Sequence, residues 1–296
     1  IQHEKHFLNI TDKDKICLHR FYSEVGSTPI FMLHGAMENS KIFHSRSKKG
    51  LAPFLAKKGF DVFALDMRGK GESTPKVSKK TIQSQTDQII EDIPLCITKI
   101  KELTKKEEFH FIGHSWGGVL LLAFLARFPQ TKVKSAVFFG SKRRVSIITF
   151  KRIFYIDIMW NLLGNILGNI KGYVPFVKMK AGSDDEPLQF YKEMNSWVYT
   201  RSWKDKKDGF DYKSNLQKLD LPPILYYTGK KDHTIGNKKD VKLLMKEIRT
   251  SNNSQFKLLS KANNNLEDYD HINILTHPKA EQDQFIEALA WIKEFD

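Results

Sequence analysis

Short apolar or alternating stretches along this chain take turns with longer segments whose apolar residues recur at spacings of three and four. Lys15–Ser23, Pro29–Leu33, Gly59–Asp66, Phe109–Gly113, Val133–Gly140, Pro223–Gly229 and Gln255–Leu259 read as strands. Arg46–Lys58, Thr86–Leu103, Ser115–Arg127, Lys238–Arg249 and Ala280–Phe295 read as helices, the third stopped by Pro129. Alternation of this kind implies an α/β class: a mostly parallel central sheet covered by helices on both faces, with the strands before the first helix forming an antiparallel start. The rhythm breaks between Ser141 and about Leu219, which reads as an inserted helical cap (residues 141–219) in a core made of residues 1–140 and 220–296.

Size and composition narrow the class. A chain of 296 residues with 41% hydrophobic content can bury roughly three quarters of its unfolded surface, so general disorder is excluded. The longest uninterrupted apolar run, Val119–Ala126, is far below the roughly 18 residues of a membrane span. Lys and Arg number 48 against 34 Asp and Glu, a formal charge of +14. The lysines are scattered in pairs with no nucleic-acid-binding signature beside them, so a solvated basic surface is expected and nucleic acid is not. Cys17 and Cys96 read as small apolar side chains. They say nothing firm about compartment; a cytoplasmic setting is the expectation, with a removed targeting segment left open, and the oligomeric state is not legible.

One stretch carries chemistry. A buried strand runs through Gly113-His-Ser115-Trp-Gly117 straight into the helix Val-Leu-Leu-Leu-Ala. A serine at the tip of such a sharp turn sits in a strained backbone, and small residues two before and two after it avoid collision. The helix that follows points its amides and positive dipole end at the same place.

With this motif in this context the sequence resembles the α/β-hydrolase family, from about Lys15 to Trp291 apart from the cap. The resemblance makes Ser115 a nucleophile and the Trp116 N–H an oxyanion donor. The strand Pro29–Leu33 ends in His34-Gly35-Ala36, and the family's residue after His-Gly offers the second donor, here the Ala36 N–H. His34 itself reads as structural. Gly229-Lys-Lys-Asp232 after a strand resembles the acid-bearing loop, and no carboxylate follows the preceding strand, where Ser-Lys-Arg-Arg144 stands. His271, in a loop before the last helix, resembles the base. His233 lies too near the acid to be placed independently, and His277 precedes Pro278 at a helix entry. Asp66-Met-Arg-Gly-Lys-Gly-Glu-Ser73 resembles a structural turn of the family and is assigned no chemistry. No metal or cofactor is expected, since no spaced His/Cys ligand set is visible and water is the only co-substrate implied.

What the resemblance implies is a serine hydrolase of carboxylic esters working through an acyl enzyme. Thioesterase, amidase and peptidase share the same residues, and a non-catalytic binding protein on this fold is the competing class. Epoxide hydrolases and dehalogenases place a carboxylate where Ser115 stands. In the cap, Ile147–Ile170 reads as one amphipathic helix with Ile156, Met159, Trp160, Leu163, Ile166, Leu167 and Ile170 on its apolar side and Asp157, Asn161, Asn165 and Asn169 on another. That face either packs as ordinary cap core or lines an acyl-chain site. Gly164, Gly168 and Gly172 predict an end that opens easily. Lys142, Arg143, Arg144, Lys151 and Arg152 just before it would let the cap rest on an anionic membrane, against a solvated basic edge as the plainer reading.

Overall fold

The computed structural model describes residues 1–148 and 153–296, the side chains of residues 154–156 and 159 excepted. Ten strands are present among the described residues: β1 Gln2–Asn9, β2 Lys15–Tyr22, β3 Pro29–Leu33, β4 Asp61–Asp66, β5 Glu108–His114, β6 Lys132–Phe139, β7 Tyr173–Val174, β8 Glu186–Pro187, β9 Ile224–Gly229 and β10 Gln255–Leu259. Eight of them make one sheet in the order β1-β2-β4-β3-β5-β6-β9-β10. All neighbours from β4 to β10 run parallel, and β1 and β2 join antiparallel at one edge.

The parallel strands are buried on both faces, which is why they read as continuous apolar runs: every residue of β3, β4 and β9 is buried. One core cluster gathers the helices Ile93–Thr104 and Trp116–Arg127 against the sheet. The other gathers Leu51–Lys57 and Gln284–Glu294 on the opposite face. Eleven of the twelve residues of Trp116–Arg127 are buried, so that helix is walled in and its first residue is held in place.

Three expectations need correction. β3 belongs to the parallel part of the sheet, between β4 and β5. The antiparallel edge includes instead β1, whose mixed His, Lys and Glu sequence carries too weak an alternation to announce an outer strand. The first helix starts at Leu51, five residues later than expected. Gly50, with φ +113°, approaches the Phe43 carbonyl so closely that a Cβ would lie 2.5 Å from its oxygen, and the chain is turned there before it can coil.

Between β6 and β9, among the described residues, the only strands are the two-residue pair β7/β8, apart from the main sheet, with one isolated antiparallel bridge between Lys204 and Asp211. Residues Ile153–Leu163 wind in wide i→i+5 turns and continue as an α-helix over Gly164–Lys171. Ile147 and Ile148 precede the winding and are not helical. Gly164 and Gly168 do not loosen this segment. A Cβ on them would lie 2.5 Å from Tyr191 Oη and 2.8 Å from Leu188 Cδ1, so they let it press against the helix Leu188–Tyr199.

The basic edge expected in front of this segment differs as well. Arg143 is fully buried, donating to Glu247 at 2.9 Å and to the carbonyls of Trp197 and Thr200, and Lys142 is buried beside it. Arg144 is half-buried. Lys151 and Arg152 lie outside the described residues, as do the side chains of Ile156 and Met159.

Candidate active site

Ser115 follows the last residue of β5 and precedes the first turn of Trp116–Arg127, with φ 51° and ψ −119°, a region costly for any residue with a side chain. The turn is over-determined by its surroundings. The Ser115 N–H donates to the Phe139 carbonyl at 2.8 Å, and a Cβ on Gly117 would sit 2.1 Å from the Leu33 carbonyl oxygen. Only glycine lets the helix start so close to β3.

Asp232 and His271 come from the loops after β9 and β10, 39 residues apart in sequence, and meet at Nδ1···Oδ2 2.5 Å. The other oxygen of Asp232 accepts the Gly236 N–H at 2.8 Å. Burial alone would raise the Asp232 pKa; the His271 charge, its hydrogen bond and the Gly236 amide outweigh that and hold the carboxyl below its usual range. As a carboxylate it can only accept, so Nδ1 carries the proton and Nε2 is left to face the cavity.

Ser115, His271, Ala36 and Trp116 all line one cavity of about 430 Å³, walled further by Met37, Trp160, Met194, Val198 and Ile235. No hydrogen bond joins Ser115 to His271 among the described residues, an ordinary state for a site without substrate. A larger depression of about 660 Å³ lies elsewhere, lined by polar groups such as Arg68, Ser84 and Glu91, and includes none of the candidate residues. The candidate residues, not size, single out the smaller cavity.

His34 is buried, with Nδ1 against the Gly35 carbonyl at 2.8 Å and Nε2 accepting the Met67 N–H at 3.2 Å, so it ties the β3 and β4 loops. His277 caps a short turn by accepting the Lys279 N–H.

Two residues at the site were missed in the sequence. His114 contacts Glu38 Oε2 through Nδ1 at 2.8 Å and the His271 carbonyl through Nε2 at 2.9 Å. A carbonyl and a carboxylate both accept, so both ring nitrogens donate and the ring is an imidazolium. Burial lowers the His114 pKa, yet the Glu38 charge and hydrogen bond raise it more; Glu38 is lowered, its burial overcome by the same partner. Glu38 also accepts the Gly35 N–H at 3.0 Å. The signal available was position alone: one residue precedes Ser115 and the other stands two after Ala36.

Metal-capable side chains also converge where sequence spacing hid them. The ladder pairs Cys17 with Asp66, bringing Cys17 Sγ and Asp66 Oδ2 to 3.5 and 3.0 Å from His19 Nε2. The Asp66 oxygens already accept the Ser40 and Glu72 amides, at 2.8 and 2.7 Å. Burial pushes the Cys17 thiol up to about 12, so it stays protonated. This group reads as structural, and both cysteines are free and buried.

The family model for the alpha/beta hydrolase fold matches residues 28–160, which take in β3, the turn at Ser115 and the loop of Ala36. The chain has the α/β-hydrolase fold. A Schizosaccharomyces pombe protein named as a probable lipase is 27% identical over 46% of this hydrolase-fold chain and 34% of its own. The proline iminopeptidase of Heyndrickxia coagulans is 28% identical over 45% of this chain and 41% of its own. The chain's matches thus span less than half the length of these curated relatives. Among solved structures, an esterase from Exiguobacterium antarcticum superposes with a TM-score of 0.61 at 17% identity, covering 96% of this chain and 98% of that one. That likeness speaks for the α/β-hydrolase fold alone.

Proposed function

We propose that this protein is a serine hydrolase of carboxylic esters, with Ser115, His271 and Asp232 acting as a unit and residues 141–219 forming a cap over the site. The observation that carries the reading is the Asp232-bound His271 ring opening into the same cavity as a serine held on a strained strand-to-helix turn. Ser115 Oγ attacks the carbonyl carbon while His271 Nε2 takes its proton; Asp232 holds the tautomer and faces the imidazolium that forms. The amides of Ala36 and Trp116, fixed by the β3 loop and the helix start, receive the oxyanion. The proton returns to the leaving oxygen, and water repeats the sequence to free the acid and the serine.

The apolar walls favour an acyl chain, and the relative named as a probable lipase points the same way. Thioester and amide substrates use the same steps, and the iminopeptidase relative keeps a peptide substrate in view. The test is labelling by a fluorophosphonate probe: the parent takes the label and Ser115→Ala does not. Well-folded parent protein that takes no label would sink the proposal. Asp232→Asn should stay folded and lose on the order of 10⁴ in kcat; near-normal turnover would mean another residue orients His271.

The winding between Ile153 and Lys171 adds contact with an anionic membrane surface to the proposal. Trp160 on it faces the cavity, while Ile158, Leu162, Ile166 and Ile170 form an outward stripe at four-residue spacing. A stripe beside the mouth on a chain of charge +14 suits a lipid–water interface. Binding to vesicles containing phosphatidylserine should exceed binding to neutral ones, fall with salt, and weaken when Leu162, Ile166 and Ile170 become Gln. Equal, negligible association with both vesicle types at low salt would discard it.

A further inference from the structure

Five Lys or Arg side chains are buried among the described residues: Arg20, Arg68, Lys70, Lys142 and Arg143. Four are matched. Arg20 meets Asp61 at 2.7 Å, Arg68 meets Asp92 at 2.6 Å, Lys70 meets Glu186 at 2.6 Å, and Arg143 meets Glu247 at 2.9 Å. Lys142 is 7% exposed and, among the described residues, has neither a hydrogen bond nor an ion pair. A buried unpaired cation is costly, and folding proteins ordinarily avoid one.

Where it stands gives the exception a meaning. Lys142 follows β6 by three residues and lines the cavity of Ser115 and His271. The acidic groups that could have answered it are engaged elsewhere: Asp232 with His271 and Gly236, Asp240 with Ser146, Glu38 with His114. Burial lowers the Lys142 pKa, and Asp232 and Asp240 oppose that from a distance. A second cation, the exposed Lys180, stands at the cavity's lip. The free charge facing the cavity is therefore positive, set in apolar walls.

We propose that Lys142 anchors an anionic group of the substrate, so that this site takes acidic esters, bearing a carboxylate or a phosphate as well as an apolar chain. The inference rests on the hydrolase reading for its chemistry but not for its binding. An anion arriving beside Lys142 restores the partner that the fold withholds, and in an apolar surround such a charge-assisted contact is strong. Lys142 would thus set specificity, holding the far end of a substrate whose carbonyl lies at Ser115.

The experiment compares matched esters. In one arm, 4-nitrophenyl esters of straight-chain acids are set against those of dicarboxylic half-acids over a series of chain lengths. In the other, a monoacylglycerol is set against the corresponding acyl glycerol phosphate. In at least one arm the acidic ester should have kcat/KM about tenfold or more above its neutral partner, and Lys142→Met should remove that preference while Lys142→Arg keeps part of it. The arm that responds tells carboxylate from phosphate. A wild-type preference that Lys142→Met leaves unchanged, or no preference in either arm, overturns the proposal.

If fluorophosphonate leaves Ser115 unlabelled and no ester turns over, the hydrolase reading fails and binding decides the anion site by itself. Ser115→Ala should quench or enhance tryptophan fluorescence with the monomethyl ester of a dicarboxylic acid, or with an acyl glycerol phosphate, at concentrations about tenfold lower than with its neutral match. Ser115→Ala combined with Lys142→Met should not; equal binding overturns the site. Thermal unfolding is the folding control, and Lys142→Met should melt no lower than the parent, because an unpaired charge leaves the interior.

Discussion

The backbone of Ser115 is where stability is given up for the proposed chemistry. Its φ of 51° with ψ −119° suits glycine, and the surrounding bonds hold a serine there. Ser115→Gly should therefore raise stability by about 1 kcal/mol, on the lower side of the cost of such strain, while removing turnover. Urea unfolding checks it, and a clear loss of stability would show that the serine side chain holds the turn together. One residue away, the buried His114, held by the half-buried Glu38, reaches the carbonyl of His271. The folded pKa of His114 is raised, so its contribution is complete below the unfolded value of 6.5 and is lost as pH rises through the folded value. Glu38→Gln should cost about 3 kcal/mol or more at pH 6, where it strands a buried imidazolium, and distinctly less at pH 10. The same loss at both pH values would contradict a charged ring.

At the scale of elements, Arg143 fastens the far end of the helix Leu188–Tyr199 to the helix Lys238–Ile248. Its guanidinium reaches Glu247 on the latter and the carbonyls of Trp197, Thr200 and Ser202 at the end of the former. Arg143→Met should lower stability by about 3–5 kcal/mol, since Glu247 and several carbonyls lose their donor in a dry place. A cost below about 1 kcal/mol in chemical unfolding would mean water replaces it easily. This residue also marks what could and could not be read in the chain. Periodicity reports the faces of an element, so β3, β4 and β5 and the helix after Ser115 were legible, and the glycines at 113 and 117 located the turn. Charge in sequence reports nothing about where a cation ends up: Lys142, Arg143 and Arg144 read as a solvated edge, yet two of them are buried through contacts about 50 to 100 residues distant or inside a cavity. The meeting of Asp232 with His271, and of Glu38 with His114, depends on loop geometry that no local pattern encodes. The first was reached through family resemblance and the second was missed.

Over the whole molecule the two packed faces of the sheet enclose neutral histidines, and this sets how the fold meets acid. His110 in β5 is buried beside Ser135, Nδ1 to Oγ 2.8 Å, and burial pushes its pKa down to about 4. His44, against Ser40 and the ring of His19, is pushed down to about 3 by burial and then by the His19 charge. A histidine lowered on folding binds its proton more readily in the unfolded chain. Stability is then complete above the unfolded value of 6.5 and drains away as pH falls toward the folded value. Carboxylates such as Asp66, which the His19 hydrogen bond and charge hold low against its burial, act in a separate window, from the ordinary carboxylate range downward. The loss from these histidines should accordingly set in near pH 6.5, above the window of the lowered carboxylates, while Asp92, whose carboxyl burial raises to about 7, works in the opposite direction over the same range. For His110 alone the loss between 6.5 and about 4 is on the order of 3 kcal/mol. Between pH 7 and pH 4.5 the urea midpoint of the parent should lose ground to that of His110→Gln, which cannot take up the proton. Parallel slopes for the two proteins would show that His110 is already protonated in the fold, paired with Asp296, whose carboxylate lies 3.5 Å from Nε2.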